Sequence, residues 1–255
     1  MIEQVSLDAN FRLKHGDPEA TGWLPRRRHR FGYSTPDDVY ETVVDGLVGP
    51  GCAWLDVGCG RDLFPTNRPL SRRLADRCAT LVGVDPDGTI AENEFVHDAY
   101  QATLEDFRPD RAFDLVTLRM VAEHIERPEA AVEALARLVR PGGKVVVFTV
   151  SRLAPISIAS RLIPFRFHHA IKAALWKTKP EDTFPVVYRM NTRRRLAQLF
   201  KGRGFRESEF ARLADCRVFG LYNLLGWLEL SLWKASRAIG IGYPESCLLG
   251  VYERA

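Results

Sequence analysis

The sequence predicts an α/β domain: a mostly parallel sheet with helices on both faces. Two observations carry that prediction. From residue 36 to residue 150, short apolar runs that end in turn residues alternate with segments of helical period. Such alternation builds parallel strands joined by covering helices. The first apolar run also opens straight into a glycine turn, Gly58-Cys59-Gly60. In open α/β sheets that turn lies at the carboxyl ends of the strands, where ligands are held.

Each element has its own signal. Residues 1–35 read as a loop-rich lead-in or arm, with a basic run at Arg26, Arg27, Arg28 and Arg30. Residues 36–48 read as a helix, with Pro36 in its first turn, early acids, and a stripe of Val39, Val43, Val44 and Leu47. Strands are expected at Cys52–Val57, Thr80–Val84, Glu94–His97, Phe113–Leu118 and Lys144–Val150, the last launched by Pro141-Gly142-Gly143. Pro128–Val139 reads as the helix before it. Thr192–Lys201 reads as another, capped by Asn191 or Thr192. Gly204–Phe210 and Cys247–Tyr252 read as two more strands. The folded domain is therefore expected over 36–255, with an insertion at 151–190 and an apolar helical segment within 212–245.

Composition narrows the class. The chain has 255 residues, 46% of them apolar, enough for one α/β domain with an insertion. The first residues carry no apolar run, so no signal peptide is expected. No stretch of twenty residues predicts a membrane span. The five cysteines form no C-x-x-C pair, which argues against a disulfide framework or a zinc site and for a reducing cytoplasm. Net charge is +4, yet residues 151–206 hold thirteen Lys/Arg against Glu181 and Asp182, a local +11. That segment is expected either to meet something negative or to be a solvated basic face.

The turn reads Asp56-Val57-Gly58-Cys59-Gly60, followed by Asp85 at the end of the second strand. Asp98-Ala99 follows the third run, Phe113-Asp114-Leu115-Val116 forms the fourth, and Glu123-His124-Ile125 comes after it. In this order the motifs resemble those of class I S-adenosylmethionine-dependent methyltransferases. The resemblance implies a Rossmann-like, seven-stranded, mostly parallel sheet with an antiparallel last strand and a helical lid after strand five. It implies S-adenosylmethionine as cofactor, bound by Asp56, Gly58 and Gly60, with Asp85 on the ribose hydroxyls and Asp98 and Ala99 on the adenine. Arg61 and Asp62 stand where many members have a small residue. A nicotinamide dinucleotide fits less well, because G-x-G-x-x-G would need glycine at Leu63.

Methyl transfer from a sulfonium needs chiefly an acceptor held in line. A hydroxyl acceptor also gains from a base, and His124, just past strand four, is the candidate; packing beside the cofactor is its bland alternative. His168 and His169 in the insertion are weaker candidates. Asp182, Tyr188, Arg189 and Asn191 lie in a Asp-Thr-Phe-Pro-Val-Val-Tyr-Arg-Met-Asn stretch. It resembles one in methyltransferases of glycan and glycolipid pathways and is expected either to face the acceptor or to be a structural loop. Residues 157–177 mix basic and aromatic side chains, as a lid or an anionic membrane contact would. Residues 218–233 are apolar nearly all round, which predicts burial or a homodimer interface ahead of membrane contact. The acceptor expected is an oxygen, less favourably a nitrogen, of a small molecule, sugar or lipid-linked compound. RNA is the rival, but no RNA-binding module and no Asn-Pro-Pro-Tyr-like motif is present. A non-catalytic scaffold is the other rival.

Overall fold

The structure, a computed structural model, describes residues 4–155, 157–158, 186–220 and 222–255. Its centre is a seven-stranded sheet in the order β3-β2-β1-β4-β5-β7-β6. The strands are β1 (Ala53–Val57), β2 (Thr80–Asp85), β3 (Asp98–Gln101), β4 (Phe113–Arg119), β5 (Val139–Val150), β6 (Phe205–Leu213) and β7 (Cys247–Arg254). The first five pair in parallel, and β7 runs antiparallel between β5 and β6. The expected sheet is therefore the observed one, while the lid expected after strand five lies outside the described residues.

Alternate side chains feed two cores. On β1, Leu55 and Val57 enter one and Trp54 the other; on β5, Val145 and Val147 oppose Val146 and Phe148. The first core is closed by two helices, Pro128–Leu138 and Arg193–Lys201. The second is closed by Pro36–Leu47 and Arg68–Arg77. A sheet buried on both faces accounts for the near-continuous apolar runs in its strands.

In chain order the helices are α1 (Gln4–His15), α2 (Trp23–Phe31), α3 (Pro36–Leu47), α4 (Arg68–Arg77), α5 (Pro128–Leu138), α6 (Arg193–Lys201) and α7 (Asn223–Ala238). Thr35 caps α3 in a reciprocal box with Asp38. Thr192, not Asn191, caps α6, accepting from the Arg195 N–H.

Three sequence expectations are corrected. The lead-in is not loop: α1 and α2 fill most of it. Its packing is polar, which conceals it from an apolar-period test. Asn10 is buried and donates to Glu41 at 3.1 Å, and Lys14 bonds Asp38 at 2.8 Å and Glu41 at 2.9 Å. Asn67, the cap of α4, donates to Asn10 and to Glu41. The third strand is not Glu94–His97 but Asp98–Gln101. Asn93 accepts from the Phe95 N–H at 3.1 Å in an Asx turn, and the His97 ring accepts from the Leu81 N–H at 3.0 Å, so pairing starts later. Finally, the apolar segment near 218–233 is not buried. Helix α7 turns only Gly226, Glu229, Leu230 and Trp233 inward, while Leu224, Leu228 and Leu232 are 74%, 52% and 64% exposed.

Candidate active site

The strand order reverses between β1 and β4, and a crevice opens there at the carboxyl ends. It is a cavity of about 340 Å³ lined by Asp56, Gly58, Cys59, Gly60, Arg61, Asp62, Leu63, Pro65, Thr89, Arg119 and Met120. The glycine turn forms one wall. Gly58 has φ +68°, and a Cβ there would stand 2.3 Å from Val121 Cγ2, so nothing larger fits. Gly60 has φ +47°, but a Cβ there would meet no protein atom and would enter the crevice. The two glycines thus differ: Gly58 admits Val121 of the loop after β4, while Gly60 faces open space.

Asp85, at the end of β2, is bonded to the glycine turn but does not itself line this cavity. Its carboxylate accepts the Gly60 N–H at 2.9 Å on one oxygen and the Asp87 N–H at 2.8 Å on the other. Each oxygen keeps further acceptor capacity, which suits two adjacent ribose hydroxyls. Asp56, fully enclosed, accepts the Thr117 hydroxyl at 2.5 Å, and Thr117 accepts from the Trp54 indole at 2.7 Å. Burial pushes the Asp56 carboxyl up to about 7, although Thr117 and Arg119 oppose the rise. A cationic ligand beside it would favour the ionised form. An open glycine, a carboxylate with spare acceptor capacity, and a second carboxylate poised near neutrality fit S-adenosylmethionine.

Arg61 and Asp62 do not plug the crevice. Arg61 pairs with Glu92 at 2.8 Å and Asp62 pairs with Arg68, both near the surface. Cys59 is buried under Gly83, where an added Cβ would lie 2.7 Å from its sulfur; burial raises its thiol far above the ordinary range. It is packing, not a nucleophile.

Asp98 and Ala99 are not brought to this crevice. They pair with Val82 and Gly83, and the register carries Gln101 to the position beside Asp85. The Asp98 side chain meets Arg111 at 3.3 Å, at the other end of the strand. Gln101 and Ala102 therefore occupy the edge where the sequence reading put Asp98 and Ala99. The Ala102 N–H bonds the Asp85 carbonyl at 3.0 Å.

Beyond β4 the chain turns at Met120, φ +54°, whose N–H bonds the Phe148 carbonyl. His124 sits half-buried in this turn, on the crevice side of the sheet. Next to it is a group the sequence reading passed over. Glu123 is buried, its carboxyl raised by burial, and it accepts the Thr149 hydroxyl at 2.6 Å. Asn191 donates to that hydroxyl at 2.6 Å and to the Val150 carbonyl at 3.0 Å. Tyr188, φ +49°, and Val187 give their backbone N–H groups to the Glu123 carbonyl. Arg189 donates to the Glu126 carbonyl at 2.8 Å. Arg189 and Asn191 thus tie this stretch to the turn after β4 and the end of β5, as the structural alternative requires. Asp182, His168 and His169 lie outside the described residues.

A second cavity of about 510 Å³ lies on the same edge, over β5, β7 and β6, lined by Asp215, Arg217, Phe219, Glu229 and Tyr243 among others. One buried carboxylate joins it to the first. Asp37 pairs with Arg119 at 2.9 Å and with Arg217 at 2.8 Å. Burial alone would raise its carboxyl, but the two guanidinium groups hold it below the usual range. Much of the local basic excess is also answered internally. Arg193, Arg195, Arg203 and Arg206 pair with Glu207, Glu129, Glu133 and Glu253.

Sheet order and glycine turn are those of an α/β domain of the class I methyltransferase kind. The comparisons carry this to a family. The chain belongs to the methyltransferase domain family, which matches residues 24–207. Its sheet order is that of the class I methyltransferase fold. A relative, the ubiquinone biosynthesis O-methyltransferase of Idiomarina loihiensis, is 36% identical over 123 residues, 44% of this chain and 47% of its own length. The chain thus spans about half the length of the curated relatives it matches. Among solved structures, a SAM-dependent methyltransferase from Archaeoglobus fulgidus superposes with TM-score 0.55 at 14% identity, covering 89% of this chain and 97% of its own. The N-methyltransferase NodS from Bradyrhizobium japonicum WM9, in complex with S-adenosyl-L-homocysteine, gives 0.52 at 14%, covering 98% of each. At such identity these two share the fold alone.

Proposed function

We propose that this chain binds S-adenosylmethionine in the crevice between β1, β2 and β4 and methylates an oxygen of a small, sugar or lipid-linked acceptor. The observation that carries the reading is the Asp85 carboxylate, held by two backbone N–H groups with acceptor capacity left beside the open Gly60. Oxygen is preferred to nitrogen because the curated relatives are named O-methyltransferases.

When bound, the cofactor supplies an electrophilic methyl group and a sulfur that accepts the departing electron pair. Asp85 takes the ribose hydroxyls, Gly58 and Gly60 let the backbone approach, and Asp56 balances positive charge. Gln101 and Ala102 flank the adenine, in place of Asp98 and Ala99. His124 receives the acceptor's hydroxyl proton. The cavity beside Arg217 and Phe219 receives the acceptor, and Tyr188, pinned to the turn after β4, contributes to its choice.

Calorimetry with S-adenosylmethionine tests the pocket. Asp85→Ala should weaken binding at least about tenfold, since two hydroxyls lose their acceptor. Unchanged affinity would remove Asp85 from the site. His124→Ala should keep that affinity while label transfer from methyl-labelled cofactor to lysate fractions falls; undiminished transfer would remove His124 as the base.

A further inference from the structure

The broadest exposed apolar surface in the described chain is the outer face of α7. Leu224, Leu225, Leu228 and Leu232 line one side of the helix, and Ile239 and Ile241 extend it past the C-terminus at 70% and 61% exposure. Patches of this kind mark sites where something docks. The surface is rigid. Trp23 of α2 donates its indole N–H to Asn223 at 3.0 Å. The buried Arg27 guanidinium donates to the carbonyls of Asn223 and Gly220, lying against Gly226, where a Cβ would stand 2.5 Å away. Phe31 meets Trp227 edge-on at 4.9 Å. Helices α2 and α7 thus form one platform.

We propose that this platform docks on an anionic lipid bilayer. Its charge selects that occupant. Besides the buried Arg27, helices α2 and α7 carry Arg26, Arg28, Lys234 and Arg237, with Arg30 paired to Glu19, and their single carboxylate, Glu229, is buried. A second copy meeting the same face through a two-fold axis would set these cations against each other. Anionic headgroups would answer them. Trp23, Tyr222 and Trp227, each partly exposed at the margin, are the side chains that favour the boundary between headgroup and acyl chain. The helix is amphipathic and no described helix is long and apolar enough to cross a membrane, so it lies in the surface. Phe219 and Glu229 also line the cavity of about 510 Å³, so docking holds that cavity beside the bilayer. This last step rests on the acceptor reading above and selects a lipid-linked acceptor; the docking itself does not depend on it.

Co-sedimentation with extruded vesicles tests the proposal, using phosphatidylcholine alone or mixed with phosphatidylglycerol. The wild-type chain should partition onto the mixed vesicles and be released by salt. Leu228→Glu/Leu232→Glu should weaken partitioning at least about tenfold, and Lys234→Glu/Arg237→Glu at least about fivefold. Calorimetric affinity for S-adenosylmethionine should stay unchanged in both variants. Absent partitioning, equal partitioning onto neutral vesicles, or undiminished partitioning of the leucine variant would overturn the proposal. So would a wild-type dimer in sedimentation velocity that the leucine variant dissolves, which would assign the face to a second copy. Vesicle binding without cofactor binding would instead sink the methyltransferase reading and leave the docking intact.

Discussion

The two halves of the sheet's carboxyl edge are built by different means. Over β1, β2 and β4 the crevice is built around the glycine turn, with Asp85 held by backbone N–H groups and Asp56 by Thr117 of the adjoining strand. Over β5, β7 and β6 the cavity is made of long side chains paired across the whole chain. Asp37 and Arg217, 180 residues apart, are bonded there. A pocket for one fixed cofactor can be fixed by local geometry. A pocket that chooses an acceptor sits on segments whose only tie is the fold itself.

The contrast can be broken first at the glycine turn. Gly58→Ala forces a Cβ into Val121 from a left-handed backbone and should cost about 2–4 kcal/mol of stability, with cofactor binding lost. Gly60→Ala meets no protein atom, so only the backbone term of about 1–2 kcal/mol should appear, yet cofactor affinity should fall. Denaturant melts paired with calorimetry check this; equal stability losses in the two variants would mean that Gly60 is structural too. Asp37→Asn probes the join between the halves. It leaves Arg119 and Arg217 short of a buried counter-ion and should cost about 3 kcal/mol. Unchanged stability would show that the bridge holds nothing together.

The smallest effect is a difference in sign with pH. Asp56, raised to about 7, is protonated more readily folded than unfolded. Its contribution to stability therefore declines as pH climbs from about 4 to about 7. Asp37, held low, contributes above the usual carboxylate range and loses that contribution as pH falls through its depressed value. Cofactor affinity should rise severalfold from about pH 6 to about pH 8 as Asp56 ionises, roughly threefold to tenfold. Titrating Asp56→Asn should flatten that rise; an unaltered slope would place the titrating group elsewhere.

What could be read beforehand follows the same division. Asp56, Gly58, Gly60 and Asp85 were legible because each sits at a strand end with its turn chemistry beside it. Asp98 was misplaced by three positions, because the start of β3 depends on the Asn93 turn and on His97 bonding a neighbouring strand. Helix α1 was hidden because its buried contacts are Asn10 and Lys14 rather than an apolar stripe. Arg217 gave no local sign at all. Glu123 stood in plain sight beside His124, and its burial through Thr149 and Asn191 is a tertiary fact. The outward face of α7 was misread because apolar composition signals the need for a partner, not where that partner is.

The segment between β5 and α6 has its two feet fastened together. The Arg152 N–H bonds the Asn191 carbonyl at 2.9 Å, and Val187 and Tyr188 are pinned to the carbonyl of Glu123. Chain can be added or removed between those feet without disturbing a single ladder bond of the sheet. Feet fastened in this way let the sheet keep its turns whatever length of chain runs between them.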